Sequence, residues 1–319
     1  MTDPLLAFDL LLAAAVVGLA AATLLVRDAF AMIATFVVFG MLVAIAWARL
    51  FAPDVALAEA AIGTGVTGAL LLRALAHLRG GSLVAKVAAP AVQPTPGTTL
   101  GVNAILAGLA TATLGLAFLG APQAGPGLES QVAAAMAQSG VDHPVTAVLL
   151  NFRAYDTLME VVVLLAAVIV VWQVERGLAD APAPALGAVY QGFARVALPV
   201  AVVAGGYLLW IGAEAPGGAF QAGAVLAAVA ILILLSGLYT PAPAHRPAAR
   251  GAFVIGTAMF AAVALGVASA GRVSFEYPLA HAKTLILLIE AMVTISIAAT
   301  LAALFHGREP AAAPRKDMP

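Results

Sequence analysis

The chain predicts an all-α, polytopic membrane protein of about nine transmembrane helices, with its N-terminus outside and its C-terminus inside. Three observations lead there. Of 319 residues, 63% are hydrophobic and 10% charged, whereas a soluble domain is nearer half apolar and a quarter charged. The apolar residues fall into nine runs, most of them near the roughly 17–25 residues that a membrane helix needs. The basic residues crowd into alternate connections, the asymmetry that sets membrane orientation.

The first run, Leu5–Leu25, lacks a basic leader and a clear small-residue cleavage site before Arg27 and Asp28. It is read as a retained helix rather than a signal peptide. The others are Ala29–Phe51, Val55–Leu78, Gly101–Leu119, Ala147–Val174, Val196–Ile211, Phe220–Leu238, Gly251–Ala268 and Thr284–Phe305. The fifth is long and the sixth short. With the N-terminus outside, the inner side receives Arg27, Arg73, Arg79, Lys86, Arg176, Arg195, Arg246, Arg250, Arg308, Arg315 and Lys316. The outer side keeps only Arg49, Arg153, Arg272 and Lys283.

Pro-, Gly- and Ala-rich connectors at 80–97 and 181–184 punctuate the chain. The second divides it into a five-helix part, 1–180, and a four-helix part, 181–307. Residues 308–319 read as a disordered tail, and 241–249 as a short turn. Glu129–Ser139 suits a short interfacial helix in an outer loop.

A net charge of −1 argues against a nucleic-acid partner. The absence of cysteine excludes disulfides, thiolate metal sites and iron–sulfur ligation. The five histidines have no metal-ligand spacing, and no phosphate-binding loop or nucleophile motif is present. The chain is therefore read as a non-enzyme without a cofactor.

The informative residues are the charges inside apolar runs. Arg153, Asp156 and Glu160 open the fifth run at helical spacings of three and four, which puts them on one face. Such charges either anchor a helix at the interface or face a protein interior or wet cavity. Asp54 follows Pro53 at the start of the third run, as a helix-start carboxylate would. Glu59 lies deeper, with no basic neighbour, and suits proton carriage or an inter-helix bond. Gly63, Gly65 and Gly68 then thin the same helix for close packing or for a π-type irregularity, with packing preferred. Glu290 sits in the ninth run two turns beyond Lys283, on one face with it. The seventh run is entered through Pro216, Gly217, Gly218, Phe220, Gln221 and Gly223. This is either a broken helix or a loop end, and irregular backbone at membrane depth must be covered by protein or line water. His143 and His281 read as loop or interfacial residues, and Arg73 as a snorkelling one.

At these residues the sequence resembles a known family. Asn151–Glu160 (Asn-Phe-Arg-Ala-Tyr-Asp-Thr-Leu-Met-Glu) resembles the Phe-Arg-Gly-Phe-Asp-Thr-Leu-Gly-Glu motif of the MrpA C-terminal region in Mrp cation/proton antiporters, and its hydrogenase counterpart MbhE. Ala52–Gly63 resembles the preceding MbhD-type domain. Pro216–Gly223 (Pro-Gly-Gly-Ala-Phe-Gln-Ala-Gly) resembles the MrpB signature Gly-Gly-Gly-Phe-Gln-Gly-Gly, shared with MbhF. The resemblance covers nearly the whole chain in the family's order, and implies a fusion of an MbhD/MbhE-like half with an MrpB (MnhB)-like half. Two departures stand out. Glu59 replaces the family's Gln, and Gly63 stands where antiporter MrpA has Glu, a pattern that leans toward the hydrogenase-type branch. Glu290 stands where the MrpB-like last helix usually carries Asp.

The resemblance implies a membrane subunit of an Mrp-type antiporter complex in the bacterial cell membrane. Its partners would be large antiporter-like subunits, small MrpC/E/F/G-like subunits, the bilayer, and Na+ and H+. Glu59, Asp156, Glu160, Arg153, Asp54, Glu290 and Lys283 would form or flank an ion or proton path, with Arg153 tuning the carboxylates. Pro216–Gly223 would supply a broken-helix or interface element. Two other readings stay open: a membrane arm of an ion-translocating hydrogenase, respiratory or inorganic-carbon-uptake complex, and a scaffold without its own ion path.

Overall fold

The computed structural model describes residues 4–80, 97–120, 127–174, 187–238 and 247–307. The linkers expected at 80–97 and 181–184, most of the 241–249 turn and the tail after Gly307 lie largely or wholly outside them. The described residues are helical without strands, and nine helices among them are long and apolar enough to cross a membrane.

The chain forms two compact units, 1–75 with 136–319, and 76–135. In the second unit, α5 (Gly97–Leu119) is a long apolar helix whose described side chains are all exposed. The short helix expected at Glu129–Ser139 forms with those bounds, as α6.

The first unit begins with α1 (Pro4–Leu25) and α2 (Ala29–Arg49). Asp28 starts α2 by accepting the Ala31 N–H at 2.8 Å, satisfying one of the free donors of a helix start. Asp9 and Arg49 join the two helices through an ion pair of 2.8 Å. The third span is not one α-helix. It comprises α3 (Pro53–Ala58), a π segment (Glu59–Val66) and α4 (Thr67–Gly80). The sequence favours close packing over a π irregularity for Gly63, Gly65 and Gly68, and the structure contains both. A Cβ on Gly68 would stand 2.7 Å from Val37 of α2, whereas Gly63 lies inside the wide turn and faces Glu59.

The fifth span is also broken. α7 (Pro144–Ala147) runs into a second π segment (Val148–Phe152) and stops at Arg153, whose φ of −131° leaves the helix. α8 (Ala154–Val174) then restarts the span. Thr157 bridges the break by donating to the Leu149 carbonyl at 2.7 Å.

The sixth span extends further than predicted, as α9 (Ala188–Ile211), and keeps Pro199 inside it. α10 (Ala219–Ser236), α11 (Pro247–Ser269) and α12 (Ala282–His306) complete the unit. α12 is the hub and packs against α8, α10 and α11. Small residues let these backbones approach, as membrane helices require. A Cβ on Gly223 would meet Ile297 at 2.7 Å, and one on Gly256 would meet Ser296 at 2.8 Å. Ser296 donates to the Phe253 carbonyl at 2.6 Å, tying α12 to α11. The 270–278 connection closes an aromatic cluster. Phe275 takes a left-handed backbone (φ +68°) and packs edge-on against Tyr155, Phe260 and Tyr277.

Candidate functional site

The site grows from the break between α9 and α10. α9 ends at Ile211, and the chain turns through residues 212–218 before α10 begins at Ala219. Gly212, Ala213, Gly217 and Gly218 are buried. The turn doubles back so tightly that a Cβ on Gly212 would stand 2.6 Å from Gly218 Cα. Gly218, with φ +113°, has a backbone that only glycine adopts without strain.

Buried irregular backbone needs partners for its polar groups, and here much of the chain supplies them. Gly218 N–H donates to the Leu208 carbonyl at 2.9 Å. Gly217 N–H donates to Asp54 Oδ1 at 3.1 Å. The Ala213 carbonyl accepts the N–H groups of Asp142 and His143, both at 3.0 Å. The Gly212 carbonyl accepts the Thr146 hydroxyl. Gln221 donates from Nε2 to the Asp54 carbonyl at 3.2 Å.

Asp54 is thus more than a helix-start carboxylate. It is buried in the first turn of α3, and its Oδ2 lies 2.9 Å from His143 Nε2. His143 does lie in the loop before Pro144, as the sequence suggests, but its ring is tied to Asp54 rather than left as a bare loop side chain. The imidazole and Asp54 stand 89 residues apart in the chain, with no local pattern to link them.

Glu290 lies on the other side of the same break. It is 2% exposed and about 12 Å along α12 from Ala282, at 1.5 Å per residue. Its carboxylate faces the start of α10: a Cβ on Gly218 would stand 3.0 Å from Oε1. Helix N-termini carry partial positive charge and free N–H groups, so a carboxylate is favoured there. Oε2 has no hydrogen-bond partner. The turn is therefore flanked by two buried carboxylates, Asp54 on Gly217 and Glu290 on Gly218.

Other expected site residues lie elsewhere. Lys283 does not share the setting of Glu290, as their spacing suggests. It is exposed and pairs with Glu214 at 3.0 Å, because it stands in the first turn of α12, beside the loop. Arg153 pairs with Asp156 at 2.6 Å on the exposed side of the fifth span, and Glu160 is exposed one turn further along. Glu59 is half-buried and folds back over Gly63, whose Cβ would stand 2.4 Å from Glu59 Oε1. A Cβ on Gly40 of α2 would approach the same oxygen at 3.4 Å. Beside it, the buried Thr64 hydroxyl has no partner. Phe220 and Gly223 pack α10 into the core formed with α12. Arg73 stacks over the Phe305 ring, 5.5 Å from its centroid.

Three family descriptions match consecutive parts of the chain. The MbhD family of the MBH complex covers residues 14–80 and the MbhE family of the same complex covers 99–187. MnhB, a domain related to the MnhB subunit of a Na+/H+ antiporter, covers 189–305. No curated protein sequence matches the chain. Among solved structures, the fold is similar to a chain of the Mrp complex from Dietzia sp. DQ12-45-1b, with a TM-score of 0.73 and 22% identity over 100% of this chain and 36% of that one. This chain therefore spans about a third of the length of that relative. It is also similar to a chain of the membrane-bound sulfane sulfur reductase (MBS), an archaeal respiratory membrane complex, with a TM-score of 0.54 and 21% identity over 68% of this chain and 100% of that one. MbhD, MbhE and MnhB-related domains thus follow one another in order along this one polypeptide, which is a fused MbhD/MbhE/MnhB-like chain.

Proposed function

We propose that the chain is a membrane subunit of an Mrp-type cation/proton antiporter complex in the bacterial cell membrane, contributing to its ion or proton path and its assembly. The observation that carries this reading is the run of three domains along a chain folded like one of the Mrp complex. Residues 1–180 would form the MbhD/MbhE-like part and 181–307 the MnhB-like part.

Within that reading the carboxylates divide by setting. Asp54 and Glu290 are interior groups at the broken helix. Glu59 is an intermediate group on the deformable π segment. Arg153, Asp156 and Glu160 are exposed on this chain. Charges on a lipid-facing helix are costly, so their exposure supports a neighbouring subunit covering them, whether a large antiporter-like subunit or a small one. Arg153 would stay paired with Asp156 at that junction, Lys283 with Glu214 would lie near the mouth, and Na+ and H+ would be the translocated ions.

The first test is cation-driven proton movement in vesicles containing the assembled complex, comparing the native chain with Glu160→Gln. Exchange reduced about tenfold, roughly 1.4 kcal/mol in the barrier, with assembly intact, is the expected outcome. Unchanged exchange would reduce the exposed cluster to a scaffold role. The MBH descriptions and the similarity to a respiratory-complex chain favour one second reading, a redox-linked membrane arm. Co-purification with soluble iron–sulfur subunits, and no exchange by the native complex, would favour it.

A further inference from the structure

The polar contacts around the α9–α10 break form one chain of support that no family description assigns. It runs from His143 Nε2 to Asp54 Oδ2 (2.9 Å), and from Asp54 Oδ1 to the Gly217 N–H (3.1 Å). The next residue, Gly218, stands against Glu290 Oε1. The Asp54 carboxylate is therefore shared between an imidazole and a backbone amide of the turn that covers Glu290. Both ends are braced. The His143 N–H donates to the Ala213 carbonyl on the far limb of that turn, and Gln221 holds the Asp54 carbonyl. Glycine makes the turn possible but gives it no side chain with which to hold itself. Without Asp54, the buried Gly217 N–H would lose its acceptor, and an unsatisfied buried donor is costly.

We propose that His143 and Asp54 are positioning residues for Glu290: together they hold the 216–218 turn down on its carboxylate and set how far that carboxylate is shielded. The three domains contribute one part each, Asp54 from the MbhD-like, His143 from the MbhE-like and the turn with Glu290 from the MnhB-like. This rests on the reading of Glu290 as an ion-path residue, but the shielding itself can be measured without transport.

The chain contains no cysteine, so Ala219→Cys supplies a single thiol at the turn, where the native residue is 7% exposed. Maleimide labelling of that introduced thiol would be followed in membranes holding the assembled complex. His143→Ala and Asp54→Ala are expected to raise the labelling rate about tenfold, as the loss of one charged hydrogen bond would. His143→Gln and Asp54→Asn keep a donor or acceptor at each position, and are expected to label as slowly as the parent. If an alanine variant fails to assemble, His143→Leu and Asp54→Val serve as the apolar variants in its place and are compared with His143→Gln and Asp54→Asn. Equal labelling in the polar-conserving and apolar variants would overturn the proposal. Faster labelling with unchanged exchange would uphold the positioning role and sink the ion-path role of Glu290.

Discussion

Among single residues, the contrast between Tyr277 and Glu290 is instructive. Both are buried polar groups with an atom that lacks a partner, but they have opposite consequences. Tyr277 lies in the 270–278 connection, and burial raises its phenol above the ordinary range. An acid raised on folding costs no stability below its ordinary value, and removes stability as pH climbs past it. Tyr277→Phe is therefore expected to leave stability at pH 7 unchanged or slightly higher. It should also flatten the fall in melting temperature above about pH 10, the ordinary tyrosine value. A thermal melt series across pH checks this, and an equally steep alkaline fall in the variant would contradict it. Glu290 faces the start of α10 and a glycine turn, where the partial positive charge of a helix N-terminus favours a carboxylate, a setting that Tyr277 lacks. The sequence points to Glu290 because a carboxylate in an apolar run needs a reason. It gives no weight to His143, because a histidine before a proline is unremarkable until the fold sets it beside Asp54.

Among the helices, breaks are the feature least visible in sequence. The seventh run announces its break through Pro216, Gly217 and Gly218, and the structure places a buried turn there. The fifth run reads as one continuous span, yet it breaks at Arg153; in Val148–Phe152 only Asn151 departs from an ordinary apolar helix, and one polar residue does not announce a break. The third run shows its glycines but not their use. Gly68 serves packing against Val37, while Gly63 makes room for Glu59 in the wide π turn. Helix–helix approach at glycine is itself testable. On α11, a Cβ at position 256 would meet Ser296 Cβ at 2.8 Å and Val293 Cα at 3.0 Å. Neither atom can swing away as a side-chain tip can. Gly256→Ala is expected to lower the stability of the purified protein by about 1–3 kcal/mol, the usual effect of overpacking a dense core. A variant as stable as the native chain in thermal or denaturant unfolding would refute that account of the α11–α12 contact.

Across the whole chain, composition establishes the membrane class and nearly every span, because the bilayer demands long apolar helices whatever their partners. The motifs establish the family order, because each carries residues that an apolar helix would not otherwise need. What sequence does not reveal is convergence. Asp54, His143, Gly217 and Glu290 come from four separate stretches and meet at one buried turn. The central claim is that this meeting point, rather than the exposed cluster alone, ties the chain to ion movement. The most direct measurement is cation/proton exchange in vesicles holding the assembled complex, with Glu290→Gln compared with the native chain at equal subunit content. The substitution keeps volume and polar contacts and removes only the ionisable group. Exchange reduced by at least about tenfold, or ~1.4 kcal/mol in the barrier, with intact assembly is the predicted result. Native rates from an intact Glu290→Gln complex would contradict the claim and leave the buried turn a purely structural junction.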